Sequence, residues 1–308
     1  MTQEVYHIPA LLPEALAALD IREDGIYVDA TLGGGGHSRA IVERLSPEGH
    51  LYSFDQDSDA IERAFSDPRF TAVYGNFRFL SNFLRYYGVE KADGVLADLG
   101  VSSHHFDDPE RGFSFRADAR LDMRMNRRAG LSAAKFLEEA SEDRIADVLR
   151  FFGELRQARR MARAIVGARK GGGVDTTARL VEAVRPFINP RQEKKELAQV
   201  FQALRIEVNG EMDALKSFLE QSLRVLRPGG RLAVITYHSL EDRLVKNFMR
   251  SGRIDGEVEK DLYGRANVPF RLLTAKPVVP SEEEVARNPR SRSAKLRVAE
   301  RLDNGSAG

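Results

Sequence analysis

Residues 31–37 read Thr-Leu-Gly-Gly-Gly-Gly-His, directly after the apolar run Gly25–Thr31 and directly before a helical stretch, His37–Leu45. Four successive glycines pack nothing and raise the entropy lost on folding, so a tight turn alone is a poor reason for them. A glycine loop that opens a helix lets backbone approach a ligand closely, and the helix N-terminus presents unpaired N–H groups. A chain that carries this loop after its first strand is constrained to an open α/β sheet with a ligand at the strand end.

The following residues continue that pattern. Leu51–Asp55, Phe70–Tyr74 and Gly94–Asp98 read as further strands, and Asp59–Phe65 and Phe77–Tyr87 as the helices between them. Strand–helix alternation of this kind predicts a parallel sheet covered on both faces. After Ser103 the alternation stops. Residues 104–130 show no clean period, and 132–208 are mostly helical, with Ser141 as a helix cap and an amphipathic run from Glu154 to Arg169. The α/β pattern then returns with a helix over Glu211–Leu226, a turn at Arg227–Gly230, a strand over Leu232–Tyr237 and a helix over Leu240–Met249. This predicts one sheet domain made of residues 1–105 and 206–303, interrupted after its fourth strand by a helical domain at 106–205. Residues 304–308 are expected to be a disordered tail.

The ligand is narrowed by what stands near the loop. Asp55 ends the second strand, 22 residues past Gly33, where an acid accepts ribose hydroxyls. The dinucleotide fingerprint is incomplete, since Ser38 stands at its third glycine, and no phosphate-binding G-x-x-x-x-G-K-[ST] motif is present. Asp29, near the end of the first strand, would repel a phosphate and attract a cation such as the sulfonium of S-adenosylmethionine. A nicotinamide-dependent Rossmann oxidoreductase and a non-catalytic RNA-binding protein are the competing classes.

The 308 residues contain no cysteine, which excludes disulfides, Cys-ligated zinc, iron–sulfur clusters and thiol nucleophiles and fits a reducing cytoplasm. No apolar run approaches the ~18 residues that span a bilayer, the first residues lack the basic start of a signal peptide, and no membrane contact is expected. Six scattered histidines without a suitably spaced carboxylate predict no metal site. The formal net charge of +1 conceals an asymmetry: residues 1–110 carry 8 basic and 19 acidic side chains, so the remainder is strongly basic. Such a split points to a polyanion.

With Asp98-Leu99-Gly100-Val101-Ser102-Ser103 added, the chain resembles the bacterial 16S rRNA cytosine-N4 methyltransferase (MraW) family. Nine segments match in order: His7–Glu14, Asp29–Ser38, Gly75–Phe77, Asp98–Ser103, Arg111–Phe115, Leu121–Met125, Phe201–Asn209, His238–Asp242 and Asn288–Arg297. The resemblance implies a class I methyltransferase (Rossmann-like) sheet with a helical insertion, S-adenosylmethionine as donor, and a decoding-region (P-site) cytosine of 16S rRNA as substrate, within the 30S subunit. It places the donor on Gly35, Gly36, His37, Asp55, Phe77, Asp98 and His105. Two stretches depart from the family pattern: His104-His105-Phe106, and Lys194–Gln199 ahead of Phe201. The oligomeric state stays open, a homodimer included.

Methyl transfer to an exocyclic amine needs alignment and an acceptor for the amine proton. Asp98 has two readings, donor contact or that acceptor. His238, at the end of the fifth strand, is a candidate catalytic or substrate contact, although Ser239 with Asp242 could simply cap the next helix. RNA contacts are expected from Arg111 and Phe113, from Arg156, Arg160 and Arg163 on one helix face, and from Arg290 and Arg292. Phe113 and Phe115 either stack bases or fill the core of the insertion.

Overall fold

The computed structural model describes residues 9–100, 108–128, 130–260, 264 and 266–303. The chain divides into two compact units, residues 1–100 with 213–308, and residues 101–212.

In the first unit, β1 (Ile26–Asp29), β2 (His50–Asp55), β3 (Phe70–Tyr74), β4 (Ala92–Asp98), β5 (Leu226–Thr236), β6 (Phe270–Leu272) and β7 (Lys295–Arg301) form one sheet in the order β3-β2-β1-β4-β5-β7-β6. β1 to β5 run parallel; β7 is antiparallel to β5, and β6 antiparallel to β7. The order turns around between β1 and β4, and open α/β sheets hold their ligands beyond the strand ends at such a point.

Successive strand residues point to opposite faces, and both faces are apolar. Val28, Val95 and Val234 pack on one side with Leu80 and Leu84 of α4 (Leu80–Tyr86), Phe218 and Leu219 of α10 (Glu211–Val225), and Phe248 of α11 (Ser239–Ser251). Tyr27, Leu96 and Ile235 pack on the other with Leu16 of α1 (Leu12–Leu19) and Ile41 of α2 (Gly36–Val42). The short α3 (Ser58–Glu62) follows β2, its start capped by Asp57. Each such aliphatic side chain taken from water contributes roughly 1.5–3 kcal/mol. β5 begins earlier than its apolar run suggests. Leu226 pairs with Ala92, and the register then jumps to Arg231 opposite Gly94. The expected turn at 227–230 is thus an excursion within the strand. Among the described residues no helix is long and apolar enough to cross a membrane.

The second unit contains α5 (Ala133–Glu139), α6 (Glu142–Phe151), α7 (Ala158–Ala168), α8 (Thr177–Val184) and α9 (Glu193–Asn209). Ser132, Ser141 and Thr176 cap α5, α6 and α8 by accepting a backbone N–H with the side-chain oxygen, which satisfies a donor that the helix itself leaves unpaired. Its core is its own, built from Leu137, Ile145, Leu149, Met161, Ile165, Leu180 and Leu204 among others. The departing stretch Lys194–Gln199 lies in α9, where Leu197 joins this core.

Three expectations for RNA contact need correction here. Arg111 is 1% exposed, and its guanidinium donates to the carbonyls of Arg124 at 3.0 Å and Met125 at 3.1 Å. It is a buried tie for its own loop and has no surface to offer a phosphate. Phe113 is buried in the core of the insertion beneath that guanidinium, which settles its alternative readings in favour of packing. Phe115 is half-buried and meets Phe201 edge-on. Arg156 does not share a helix with Arg160 and Arg163. The helix starts only at Ala158, because Glu154 turns the chain at a φ of 53°.

Removing the Arg111 guanidinium leaves buried carbonyls without their charged donor. Arg111→Ala should lower unfolding free energy in urea by about 2–4 kcal/mol, the scale of lost hydrogen bonds to a buried charged group. A fully surface-exposed role would leave the midpoint unchanged.

Candidate active site

The ends of β1, β2 and β4 each carry a carboxylate. Asp29 is buried at 1% exposure. One of its oxygens accepts from Thr31 N at 3.0 Å and the other from Ser38 Oγ at 2.6 Å. Ser38 in turn meets Ser53 Oγ at 2.9 Å. Burial pushes the Asp29 carboxyl up to about 6, against the pull of these donors. The Asp55 carboxylate accepts from Gly33 N and from Asp57 N, each at 2.9 Å. It therefore fixes the start of the glycine loop as well as standing beside it.

Asp98 ends β4. Its backbone N–H donates to Thr31 Oγ1 at 2.7 Å, and its carboxylate accepts from Tyr237 Oη at 2.8 Å. Burial above all, then the neighbouring Asp29 and Glu241, push its carboxyl up to about 7, with the Tyr237 bond opposing. Burial and the Asp98 carboxylate push the Tyr237 phenol up as well, so it stays a donor. Thr31 opens the glycine loop, two residues past Asp29. Its hydroxyl reaches the end of β4 while its N–H holds Asp29, so one residue joins two strand ends.

The loop geometry follows from its glycines. Gly35 has a φ of 77° and caps α2 in the left-handed region. A Cβ on Gly36 would sit 2.5 Å from the Pro9 ring. His37 is buried; its Nε2 lies 3.2 Å from Ala10 O, and its Nδ1 lies 3.7 Å from Asp98 Oδ2. The second distance suggests an ion pair, but burial lowers the imidazole to about 4. The ring is therefore neutral near pH 7, donating through Nε2 to the Ala10 carbonyl and turning the Nδ1 lone pair toward Asp98. Phe77 sits half-buried on the 3₁₀ turn Phe77–Phe79, edge-on to Phe218 with ring centroids 5.3 Å apart. Asn76 caps that turn and bonds Gln56, the neighbour of Asp55, at 2.8 Å.

The structure thus brings Gly35, Gly36, His37, Asp55 and Asp98 to one edge of the sheet. His105, His7 and residues 101–104 fall outside the described residues. Tyr237 is the partner that sequence reasoning passed over; its only signal was its place one residue beyond an apolar strand at the carboxyl edge.

His238 is placed differently from expectation. It, and not Ser239, caps α11: its Nδ1 accepts from Glu241 N at 3.4 Å, and Glu241 reaches back to the N–H groups of Tyr237 and His238. Its Nε2 is 3.0 Å from Glu241 Oε1 but makes no hydrogen bond among the described residues. Nδ1 is thus committed to ending a helix, while Nε2 is not, so the cap leaves the catalytic or substrate-contact reading of His238 standing on Nε2 alone. Arg290 and Arg292 are exposed on the 3₁₀ turn Pro289–Ser293 ahead of β7. Arg160 and Arg163 are exposed on α7, the latter 3.4 Å from Glu142.

A sheet of this order with a glycine loop after β1 and acids closing β1, β2 and β4 defines a class I methyltransferase. The MraW methylase family model matches residues 4–302. A ribosomal RNA small subunit methyltransferase H from Parabacteroides distasonis is 59% identical over 298 residues, covering 96% of this chain and 98% of its own length. Its counterpart from Phocaeicola vulgatus is 56% identical, covering 97% and 98%. A solved putative rRNA-methylase from Clostridium thermocellum aligns at 11% identity and a TM-score of 0.45, covering 96% and 98%. The chain belongs to the MraW methylase family.

Asp98 binds its proton more tightly in the fold, at about 7, than an unfolded carboxyl does at 3.8. That gain is present at low pH and is lost as pH rises through 7. Asp98→Asn should therefore stabilise the ligand-free protein at pH 8 by about 1–3 kcal/mol and much less at pH 4.5. Urea unfolding at both pH values checks this; equal effects at both would refute it.

Proposed function

We propose that the protein transfers the methyl group of S-adenosylmethionine to the N4 amine of a decoding-region cytosine in 16S rRNA, acting in the cytoplasm on the 30S subunit. The observation that carries the reading is the chemistry of the strand ends: three carboxylates and a neutral imidazole border the glycine loop. Such a set attracts a sulfonium and repels the pyrophosphate of a dinucleotide, which disfavours an oxidoreductase. The names of the relatives supply small-subunit rRNA as the substrate class.

The donor, when bound, supplies an electrophilic methyl carbon whose bond to sulfur breaks as the bond to N4 forms. The protein's residues do the rest. Asp55 would accept the ribose hydroxyls, and backbone at Gly35 and Gly36 would give close approach. Phe77 would bound the adenine side, and Asp98 would face the sulfonium. The amine must lose a proton, and a carboxyl near 7 suits an acceptor working at neutral pH. A bound sulfonium would pull that value back down, so the acceptor and donor-contact readings of Asp98 are separated by their kinetics. Tyr237 holds the carboxylate in place and keeps its own proton.

Two outcomes follow. Asp55→Ala should weaken S-adenosylmethionine binding by about 1–3 kcal/mol, because a charged acceptor of ribose hydroxyls is lost; an unchanged calorimetric affinity would remove the ribose role. Asp98→Asn at saturating donor should slow single-turnover methylation if the carboxylate takes the proton, and weaken donor binding if it only faces the sulfonium. Wild-type behaviour in both assays would take Asp98 out of the site. The overall reading is tested by mass-spectrometric mapping of 16S nucleotides with and without the gene. One decoding-region cytosine should lose its N4 methyl group, and an unchanged map contradicts the proposal.

A further inference from the structure

Within the second unit, the chain leaving α6 and entering α7 encloses an open cleft lined by Asp147, Arg150, Leu155, Arg156, Arg159 and Arg160. The lining thus holds four arginines and one acid. Among the described residues none of the four has a carboxylate within ion-pair distance; Arg160 donates only to Gln157 Oε1 at 3.2 Å. Several exposed arginines elsewhere in the unit are taken up by acids: Arg144 by Glu207, Arg163 by Glu142, Arg179 by Asp175 and Arg185 by Glu193. Arg116, Arg120 and Arg191 are exposed without such a partner among the described residues, but they line no common cleft with the four. Beside the cleft, Phe151 is 58% exposed at the last turn of α6, with the Arg150 guanidinium 5.5 Å from its ring centroid. A single exposed ring is ordinary in itself; what singles out Phe151 is its place beside a cleft lined by four arginines, where one ligand can meet a ring face and positive charge together.

We propose that this cleft is a seat for single-stranded RNA, in which one or two backbone phosphates lie against Arg150, Arg156, Arg159 and Arg160 and an adjacent base stacks on Phe151. The chemistry fits both halves. Guanidinium forks bind phosphate oxygens bidentately, and an exposed ring beside them offers a platform that accepts any base. An acidic protein segment would satisfy the arginines but would leave the ring without a stacking partner. The seat rests on the reading of the protein as an rRNA methyltransferase and assigns part of the substrate recognition to it. It also replaces Phe113, which is buried, with Phe151 as the ring that meets a base.

The test uses the full chain and a fluorescein-labelled single-stranded oligoribonucleotide copied from the 16S decoding region, titrated by anisotropy across a salt series. The double variant Arg156→Gln with Arg159→Gln should raise Kd at least tenfold and make the salt slope shallower by roughly one, since about 0.7 counterion is released per phosphate contact on single strands. Phe151→Ala should raise Kd about fivefold with the salt slope unchanged, and Phe151→Trp should restore wild-type Kd. Donor affinity serves as the control for folding and should stay at wild type in all of them. Wild-type Kd and slope in the double variant would overturn the seat, as would Phe151→Ala binding normally. Loss of binding to assembled small subunits with normal binding to the oligoribonucleotide would also overturn it, in favour of a protein partner. In parallel, wild-type enzyme is assayed for methylation of 16S rRNA. Methylation by the wild type with unchanged KM in the variants sinks the seat alone, whereas absence of wild-type methylation sinks the functional reading.

Discussion

Thr31 and the carboxylates it organises are the constraint on which the active edge depends. β1, β2 and β4 end in Asp29, Asp55 and Asp98, and like charges at adjacent strand ends oppose one another and oppose burial. The protein holds them by spending donors on each: Thr31 and Ser38 on Asp29, backbone at Gly33 and Asp57 on Asp55, and Tyr237 on Asp98. The threonine hydroxyl that accepts from Asp98 N ties β4 to the loop after β1. Even so, two of the carboxyls are pushed up to about 6 and about 7. A site that keeps acids in this state is poised for a cation, whose arrival relieves what burial imposes.

The insertion follows a different logic. Its core closes without help from the sheet, and its arginines are divided between two tasks. Arg111 and Arg169 are turned inward onto backbone carbonyls and hold loops and helix ends. Others stand outside, some neutralised by acids and the four of the α6–α7 cleft not. Side-chain type alone does not separate the tasks; burial and the presence of a carboxylate do.

That division marks where the sequence was legible. The apolar runs ending in Asp29, Asp55 and Asp98 announced a parallel sheet and its reactive edge, because residues of buried parallel strands must be apolar up to the point where the strand leaves the core. The family resemblance then narrowed the donor residues. Arg111 was misread because a cluster of arginines looks the same in sequence whether it faces carbonyls or water. Phe113 shared that fate. The helix expected from Glu154 starts late because a left-handed residue interrupts it, and no residue type announces that conformation at a glutamate. β6 was invisible: of its three residues only Phe270 is buried, too little for a period. The cap of α11 went to His238 because an imidazole Nδ1 can accept from a backbone N–H as a serine oxygen does, and Glu241 stands at the reciprocal position.

The claim that the carboxylate edge is built for a cation is tested most directly by comparing S-adenosylmethionine with S-adenosylhomocysteine, which differ by a methyl group and one positive charge. Titration calorimetry on the wild-type protein at pH 5.5 and pH 8 gives the ratio of the two affinities at each pH. As Asp29 and Asp98 lose their protons over this range, the ratio should shift toward S-adenosylmethionine. A ratio that stays constant, or that shifts toward S-adenosylhomocysteine, would contradict the account.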